Sequence, residues 1–448
     1  MLFRSKNTYL KAVVGASKQE VDAYHQYIYR HINQDSTEFV LDRLADYLRY
    51  NFGQKQFSAN VFVSHKIGEK ITIKTGIINN FYALTYIDSI RKSFDTLSPV
   101  FNEFETRWNT KNAFAYIGQV YVQAKYRLSQ KWTLNAGLHS QYASLGNSFS
   151  PIEPRLSAKY DLNDKQYFAL SYGFHSQIQA PYLYFYVRNG RTSPENLGMK
   201  MSRSHHFVAT YSRQIGKAMN FKAEAYYQYL FNAPISTAMN SFSLINTGRG
   251  FARFFPDTLL VNKGRGYNYG VEATLEKFFT KNYYFMVNGS LFNSQYKGSD
   301  KVWRNTDFNN IYVLNGLFTK QFDLGKSKKH SLEIGGKITT SGGILYSPVD
   351  TVASATAGEI IDVSSAKNSL RFPPYFRTDL RLAYHANGKR MTHTVAIDMI
   401  NLSAFTGHRN LLRLSYAPDG KGNFIQKEYQ IGFLPIFYYR IDFNWGKQ

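Results

Sequence analysis

From about residue 55 onward, apolar and polar side chains alternate with period two, in blocks of about 9 to 15 residues. In the block 114–128, Phe114, Tyr116, Val120, Val122, Ala124, Tyr126 and Leu128 share one face, and Gln119, Tyr121, Gln123, Lys125 and Arg127 the other. After Ser-Gln-Lys the pattern resumes, with Trp132, Leu134, Ala136 and Leu138 against Thr133, Asn135 and His139. It returns at 155–162, where Leu156, Ala158, Tyr160 and Leu162 oppose Arg155, Ser157, Lys159 and Asp161, and again at 221–229. Successive side chains of a strand point to opposite faces, so each block predicts a strand with one apolar and one polar surface.

The connections alternate as well. Short turns fall at about 67–70, 129–131, 163–166, 215–218, 280–282, 324–329 and 387–390, most of them rich in Gly, Asn, Asp and Lys as tight hairpins require. Longer links lie between them, at about 87–111, 177–202, 233–265, 298–309, 342–374 and 402–428, with one short exception near 144–151. Counting from about 6–17 and 56–66 gives roughly sixteen strands. In 19–55, Leu41, Leu44 and Leu48 stand at helical spacing, which predicts a loop carrying a short helix, with a distorted strand as the rival reading.

A soluble β-sandwich also alternates, but its strands are shorter, its inner faces more aliphatic and its links short at both ends. Blocks of this length cross a bilayer when tilted, and their apolar faces begin or end on rings such as Tyr126, Trp132, Tyr229 and Tyr384, as at the two membrane interfaces of a barrel. The pattern therefore predicts an all-β, antiparallel transmembrane β-barrel. Composition agrees: 35 Tyr and 35 Phe bring aromatics to 17%. No apolar run reaches the length of a membrane-spanning helix, and the mean hydropathy of −0.38 is compatible with a barrel because only every second residue meets lipid. With no cysteine, disulfides and thiolate chemistry are excluded. The net charge of +23 is spread over turns, loops and polar faces. That distribution argues against a nucleic-acid groove and suits lipopolysaccharide phosphates at the rim or a field drawing anionic nutrients to the lumen.

Several segments resemble the TonB-dependent outer-membrane receptors, in the branch whose members often carry an N-terminal carboxypeptidase-regulatory-like domain. They are IEPRLSAKYDLNDKQYFALSYGFHSQIQAPYLYF (152–185), SRSHHFVATY (202–211), AEAYYQYLFNAPIS (223–236), NYGVEATLEKFF (268–279), LFNSQYKGSDKVWRNT (291–306) and YFRTDLRLAY (375–384). The resemblance implies a Gram-negative-type outer-membrane location, a 22-stranded barrel closed by an N-terminal plug, and a TonB box ahead of the plug. A plug, a box and a signal peptide are not found in this sequence. The expectation is thus one domain, 1–448, forming the C-terminal portion of such a barrel, its first strand about the seventh. The implied function is binding of an extracellular nutrient, a small molecule or an oligomer, and its import with TonB-supplied energy. The alternative is a passive porin with a complete sixteen-stranded barrel. Implied partners are outer-membrane lipid and lipopolysaccharide, the TonB complex through the plug region, and the barrel-assembly machinery. The last would read the alternating C-terminal strand Phe437, Tyr439, Ile441, Phe443 and Trp445.

Candidate chemistry is sparse. Loop 177–202 offers Tyr182, Tyr184, Phe185, Tyr186, Arg188 and Arg191 at the expected extracellular mouth, where rings stack on flat or sugar ligands and arginines grip anions. Arg377, Asp379, Arg381 and Asp398 share one face of the hairpin 375–399 and are expected on the lumen wall, pairing across strands. On that reading a charge at Leu380 is costly and Asp379→Asn nearly silent. Glu272 and Glu276 lie on one face but too far apart for paired acid–base work. His205 and His206 point to opposite faces and cannot share a metal. Ser204 and His206 form no hydrolase signature, so no catalytic residue, metal or cofactor is expected.

Overall fold

The computed structural model describes residues 2–32, 39–187, 191–247, 259–417 and 424–443. Sixteen long strands follow one another around a single antiparallel sheet, each hydrogen-bonded to the next in sequence. They are β1 (Thr8–Ile32), β2 (Phe39–Ile67), β3 (Ile71–Arg91), β4 (Asn109–Arg127), β5 (Trp132–Ala143), β6 (Glu153–Asn163), β7 (Gln166–Gln177) and β8 (Ser202–Ile215). There follow β9 (Met219–Ser236), β10 (Leu260–Thr280), β11 (Tyr283–Lys297), β12 (Tyr312–Leu324), β13 (His330–Ser341), β14 (Tyr375–Asn387), β15 (Met391–Ile400) and β16 (Leu434–Phe443).

The expected alternation of short and long connections is present. Tight turns join β2 to β3, β4 to β5, β6 to β7, β8 to β9, β10 to β11, β12 to β13 and β14 to β15; the long loops are all at the opposite end. Gly68, Gly216 and Gly325 take positive φ in these turns, a backbone setting open to glycine at no steric cost. The two faces differ as the pattern requires. On the outer face Val61, Ile77, Val120, Leu138, Leu170, Val271, Leu291, Ile338 and Val395 are all exposed. Near the turns, Trp132, Tyr160, Phe168 and Tyr211 stand directly opposite one another on β5 to β8, a continuous row of rings of the kind that marks a membrane interface.

Residues 19–55 correct the helical expectation. The described part, 19–32 and 39–55, follows the rival reading of a distorted strand: it belongs to β1 and β2, which pair from Thr8↔His65 to Ile32↔Phe39, far beyond the expected blocks 6–17 and 56–66. The helical spacing has a local cause. Two bulges in this pair each leave one residue of β2 unpaired, Asp42 between Tyr29↔Arg43 and Arg30↔Leu41, and Tyr47 between His25↔Leu48 and Gln26↔Asp46. A bulge shifts the alternation by one. Leu41 and Leu44 therefore share a face at a spacing of three, at 57% and 48% exposure, whereas Leu48 lies on the other face at 2%. The link expected at 233–265 is shorter, because β9 and β10 continue to pair out to Ser236↔Leu260.

Among the described residues the sheet does not close on itself. Beyond β2, the strand paired with β1 is the three-residue arm Leu2–Arg4, at Tyr9 to Lys11, and the strand paired with β16 is β15. Residues 444–448, with Trp445 of the expected C-terminal signature, lie outside the described residues.

Candidate functional site

The long loops fold onto one face of the sheet, the inner face. Its upper end is a compact aromatic core in which Phe52 of β2, Leu84 and Tyr86 of β3 and Ala115 of β4 meet Trp108, Leu145, Leu183, Tyr184, Tyr186 and Met199. Trp108 is fully buried; its ring lies edge-on to Phe52 and Tyr186, both at 5.2 Å, and its Nε1 donates to the Tyr182 carbonyl at 2.8 Å. Buried Asp88 fixes the approach by accepting from the Arg107 and Trp108 amides at 2.7 and 2.9 Å and from Arg107 Nε at 2.7 Å. Of the aromatic candidates for ligand contact, Tyr184 and Tyr186 are thus turned into this core, and Tyr182 and Phe185 are half-buried against it. Arg191 is exposed and 3.7 Å from Glu195; Arg188 lies outside the described residues.

A second lock is polar. The Asn246 amide donates to Asp307 at 2.8 Å, Asn368 donates to the same carboxylate at 2.6 Å, and Arg371 donates to the Asn309 and Gly343 carbonyls, both at 2.7 Å. Three loops are joined in this way, those following β9, β11 and β13. The last carries a short helix, α1 (Thr351–Ala357), capped by Asp350 and Gly358. Gly342 and Gly343 allow the contact, since a Cβ at either would strike the Asn310 or Phe372 carbonyl.

The structure brings the charged ladder together. Arg377 donates to Asp379 at 2.6 and 2.8 Å, and Asp379 also accepts from the Asn401 amide at 2.8 Å. Arg381 bridges Glu333 of β13 at 3.1 Å and Asp398 of β15 at 2.9 Å, with its guanidinium 4.9 Å from the Tyr438 ring of β16. His385 extends the set to Glu333 at 3.4 Å. Each acid of this group lies within 3.1 Å of an arginine nitrogen.

The remaining candidates stay apart. Glu272 accepts from Ser290 and Glu276 from Tyr284, both at 3.3 Å. His205 and His206 do face opposite ways, to Tyr172 at 3.0 Å and to Ser204 at 2.8 Å. The second ring nitrogen of His206 faces the Gln228 amide at 3.5 Å and has no orienting carboxylate, so the Ser204–His206 pair lacks the third member of a hydrolase triad. Among the described residues no three His, Cys, Asp or Glu side chains are placed to hold a metal.

One constellation escaped sequence reasoning. Below the aromatic core, a recess of about 810 Å³ opens on the inner face of β2 to β7, lined among others by Lys74, Tyr121, Lys125, His139 and Arg155. Register creates it: Ser64, Lys74, Gln123, Gly137 and Arg155 stand opposite one another on five strands, and Lys66, Thr72, Lys125, Asn135 and Ser157 form the next row. Gly76 lets Tyr121 lie across the sheet, as a Cβ there would come within 2.8 Å of the Tyr121 hydroxyl. Alternation had already assigned Lys125, His139 and Arg155 to polar faces. No single-strand pattern says that they meet.

The family model "TonB dependent receptor-like, beta-barrel" matches residues 5–402. Solved structures similar in fold include the ferric yersiniabactin uptake receptor FyuA from Yersinia pestis, at 12% identity and a TM-score of 0.60 over 99% of this chain and 60% of that one. The pyoverdine receptor FpvA from Pseudomonas aeruginosa gives 13% and 0.62 over 97% and 59%, and the copper transporter OprC 11% and 0.60 over 97% and 62%. The chain thus spans about 60% of the length of these structures. No curated protein matches it. With the model matching most of its length, an alternating sheet, turns at one end and loops folded inward at the other, the chain belongs to the TonB-dependent receptor-like β-barrel family of the bacterial outer membrane.

Proposed function

We propose that this chain is the C-terminal barrel portion of a TonB-dependent transporter that binds an extracellular nutrient and admits it when TonB acts on a plug carried by the rest of the receptor. The family match over 5–402 carries this reading. The open sheet supports it. In hydrocarbon, unpaired backbone groups each cost several kcal/mol, so a spanning sheet must be closed. Among the described residues β1 is paired with β2 and, at Tyr9 to Lys11, with the short arm, and β16 with β15; no further strand is paired with either. About six further strands would complete a 22-stranded barrel of the size seen in outer-membrane transporters. A passive sixteen-stranded porin needs β1 and β16 paired with each other, and no such pairing exists among the described residues. On this reading the paired ladder of Arg377, Asp379, Arg381 and Asp398 faces the lumen, the loop lock frames the mouth, and lipopolysaccharide and the assembly machinery meet the outer rim and β16. The yersiniabactin, pyoverdine and copper cargoes named for the neighbours differ too widely to identify the nutrient.

The test is uptake in the native bacterium. Strains lacking either this gene or TonB are compared for accumulation of ferric siderophores, copper and oligosaccharides. The expected result is one nutrient whose uptake drops to background in both strains. Uptake that needs this gene but persists without TonB would replace the transporter by a passive channel.

A further inference from the structure

We propose that the inner-face recess between β2 and β7 is a binding site for the oxyanion groups, carboxylate, phosphate or sulfate, of a polar cargo, with Lys74, Lys125 and Arg155 as its anion-recognising residues. The proposal rests on the transport reading above and narrows its substrate class.

Charge is the first argument. Lys74 and Lys125 line the recess without an ion pair among the described residues, and Lys66 and Arg127 flank it in the same condition. The acids nearby are already engaged. Glu153 is fully buried, 2.7 Å from His139 Nδ1 and 3.5 Å from Arg155, and Asp161 lies 2.6 Å from Lys159. Arg155 shares Glu153 with His139 at the longer distance of 3.5 Å, whereas on β14 Arg377 and Arg381 hold their carboxylates at 2.6 to 3.1 Å. A wall that pairs its charges closely in one sector and leaves Lys74 and Lys125 unmatched beside a loosely paired Arg155 in another presents a fixed positive field to whatever enters, and unmatched cations close together repel until an anion arrives.

Shape is the second. Adjacent strands are roughly 4.8 Å apart, so Lys74 and Arg155, three strands from each other, bracket a span of roughly 15 Å. Between them Gly137 contributes no side chain, and Lys125 projects from the neighbouring row. Gln119, Gln123, Gln141 and Asn135 add amides around the rim, and the Lys74 ammonium lies 4.3 Å from the Phe62 ring centroid and 5.9 Å from that of Tyr121. The volume of about 810 Å³ falls in the range of sites for drug-sized ligands. Ring, amides and separated cations together fit a polar molecule with more than one anionic group, such as an acidic sugar, better than a lone simple ion.

The experiment is calorimetric titration of the complete native polypeptide in detergent at low salt, with trigalacturonate, inorganic phosphate and the neutral trisaccharide maltotriose as probes. Trigalacturonate or phosphate is expected to bind, more weakly as salt rises, and maltotriose to bind at least tenfold more weakly. K74Q/K125Q/R155Q should lose at least tenfold in affinity, the charge-preserving K74R/K125R/R155K should retain binding, and K326Q/K329Q in the turn before β13 should behave as wild type. Tighter binding of trigalacturonate than of phosphate assigns the site to acidic sugars, and the reverse order to phosphate-bearing cargo. Equal binding of neutral and anionic probes, an unchanged affinity in the glutamine variant, or capture of an acidic peptide where neither small anion binds overturns the proposal. Anion binding at this site together with TonB-independent uptake would overturn the transport reading alone.

Discussion

Leu380 and Asp379 are neighbours in the chain, yet their side chains leave opposite faces of β14, and substitutions should separate the two solvents. Leu380→Lys is expected to cost about 2–4 kcal/mol if the residue lies near the bilayer midplane, measured as a shift in the denaturant midpoint for folding into lipid vesicles. Sequence alone expected Asp379→Asn to be nearly silent, and the structure revises that. Asp379 accepts two bonds from Arg377 and one from the Asn401 amide. Asparagine keeps an acceptor for Asn401 but removes the charge opposite Arg377, so a loss of about 1 kcal/mol is expected for this part-exposed pair. Equal losses for the two variants would refute the assignment of faces. Facing was legible because it depends on nothing beyond alternate positions along one strand. Partnership was not, since Arg381 meets a glutamate 48 residues away and only register puts them side by side. The recess was hidden for the same reason: Lys74, Gly137 and Arg155 come from three strands, and each looks ordinary in its own.

At the level of elements, turn chemistry and block length located the turn ends of β3 to β16 closely, because hairpin turns leave local marks, whereas at the loop ends β10 starts about six residues before and β16 about five residues after the expected links end. The β1–β2 pair was placed but cut short, because bulges at Asp42 and Tyr47 broke the phase that defines a strand. The loops were legible in length only. Nothing in QAPYLYF announces that Tyr184 and Tyr186 turn inward, because their burial is decided by Phe52 and Trp108, which lie far away in sequence. The fold of this loop thus hangs on Trp108. Trp108→Ala is expected to cost about 3–5 kcal/mol of local stability, the range for deleting a large buried ring. Hydrogen exchange should rise in 178–187 and in the upper ends of β2 and β3, with the charged ladder on β14 unaffected. Faster exchange spread evenly over all sixteen strands would mean that the aromatic core supports the sheet itself and not the loop.

For the whole molecule, the governing fact is an edge at each side of the sheet. A β-sheet in lipid has to satisfy every backbone donor and acceptor internally, and past Tyr9 to Lys11 no second strand is paired with β1 among the described residues. The sequence announced the sheet and its approximate strand number, but an edge is a property of topology, and alternation is the same on a central strand as on an outermost one. Val14 and Phe437, each 73% exposed on the outer face, sit on these two edges. This chain has no cysteine, so with any cysteine in the rest of the receptor replaced by serine, Val14→Cys with Phe437→Cys is a label pair free of background. Spin labels at these positions in the native receptor, read by pulsed electron–electron resonance, should lie several tens of ångströms apart, since six intervening strands at roughly 4.8 Å, lengthened by barrel tilt, separate the edges. If β1 and β16 instead join to close sixteen strands, the same labels fall within about 15 Å, because directly paired strands are one spacing apart. A short distance would also demand that the Leu2–Arg4 arm be displaced from Tyr9 to Lys11, so loss of that pairing provides an independent sign of closure within one chain.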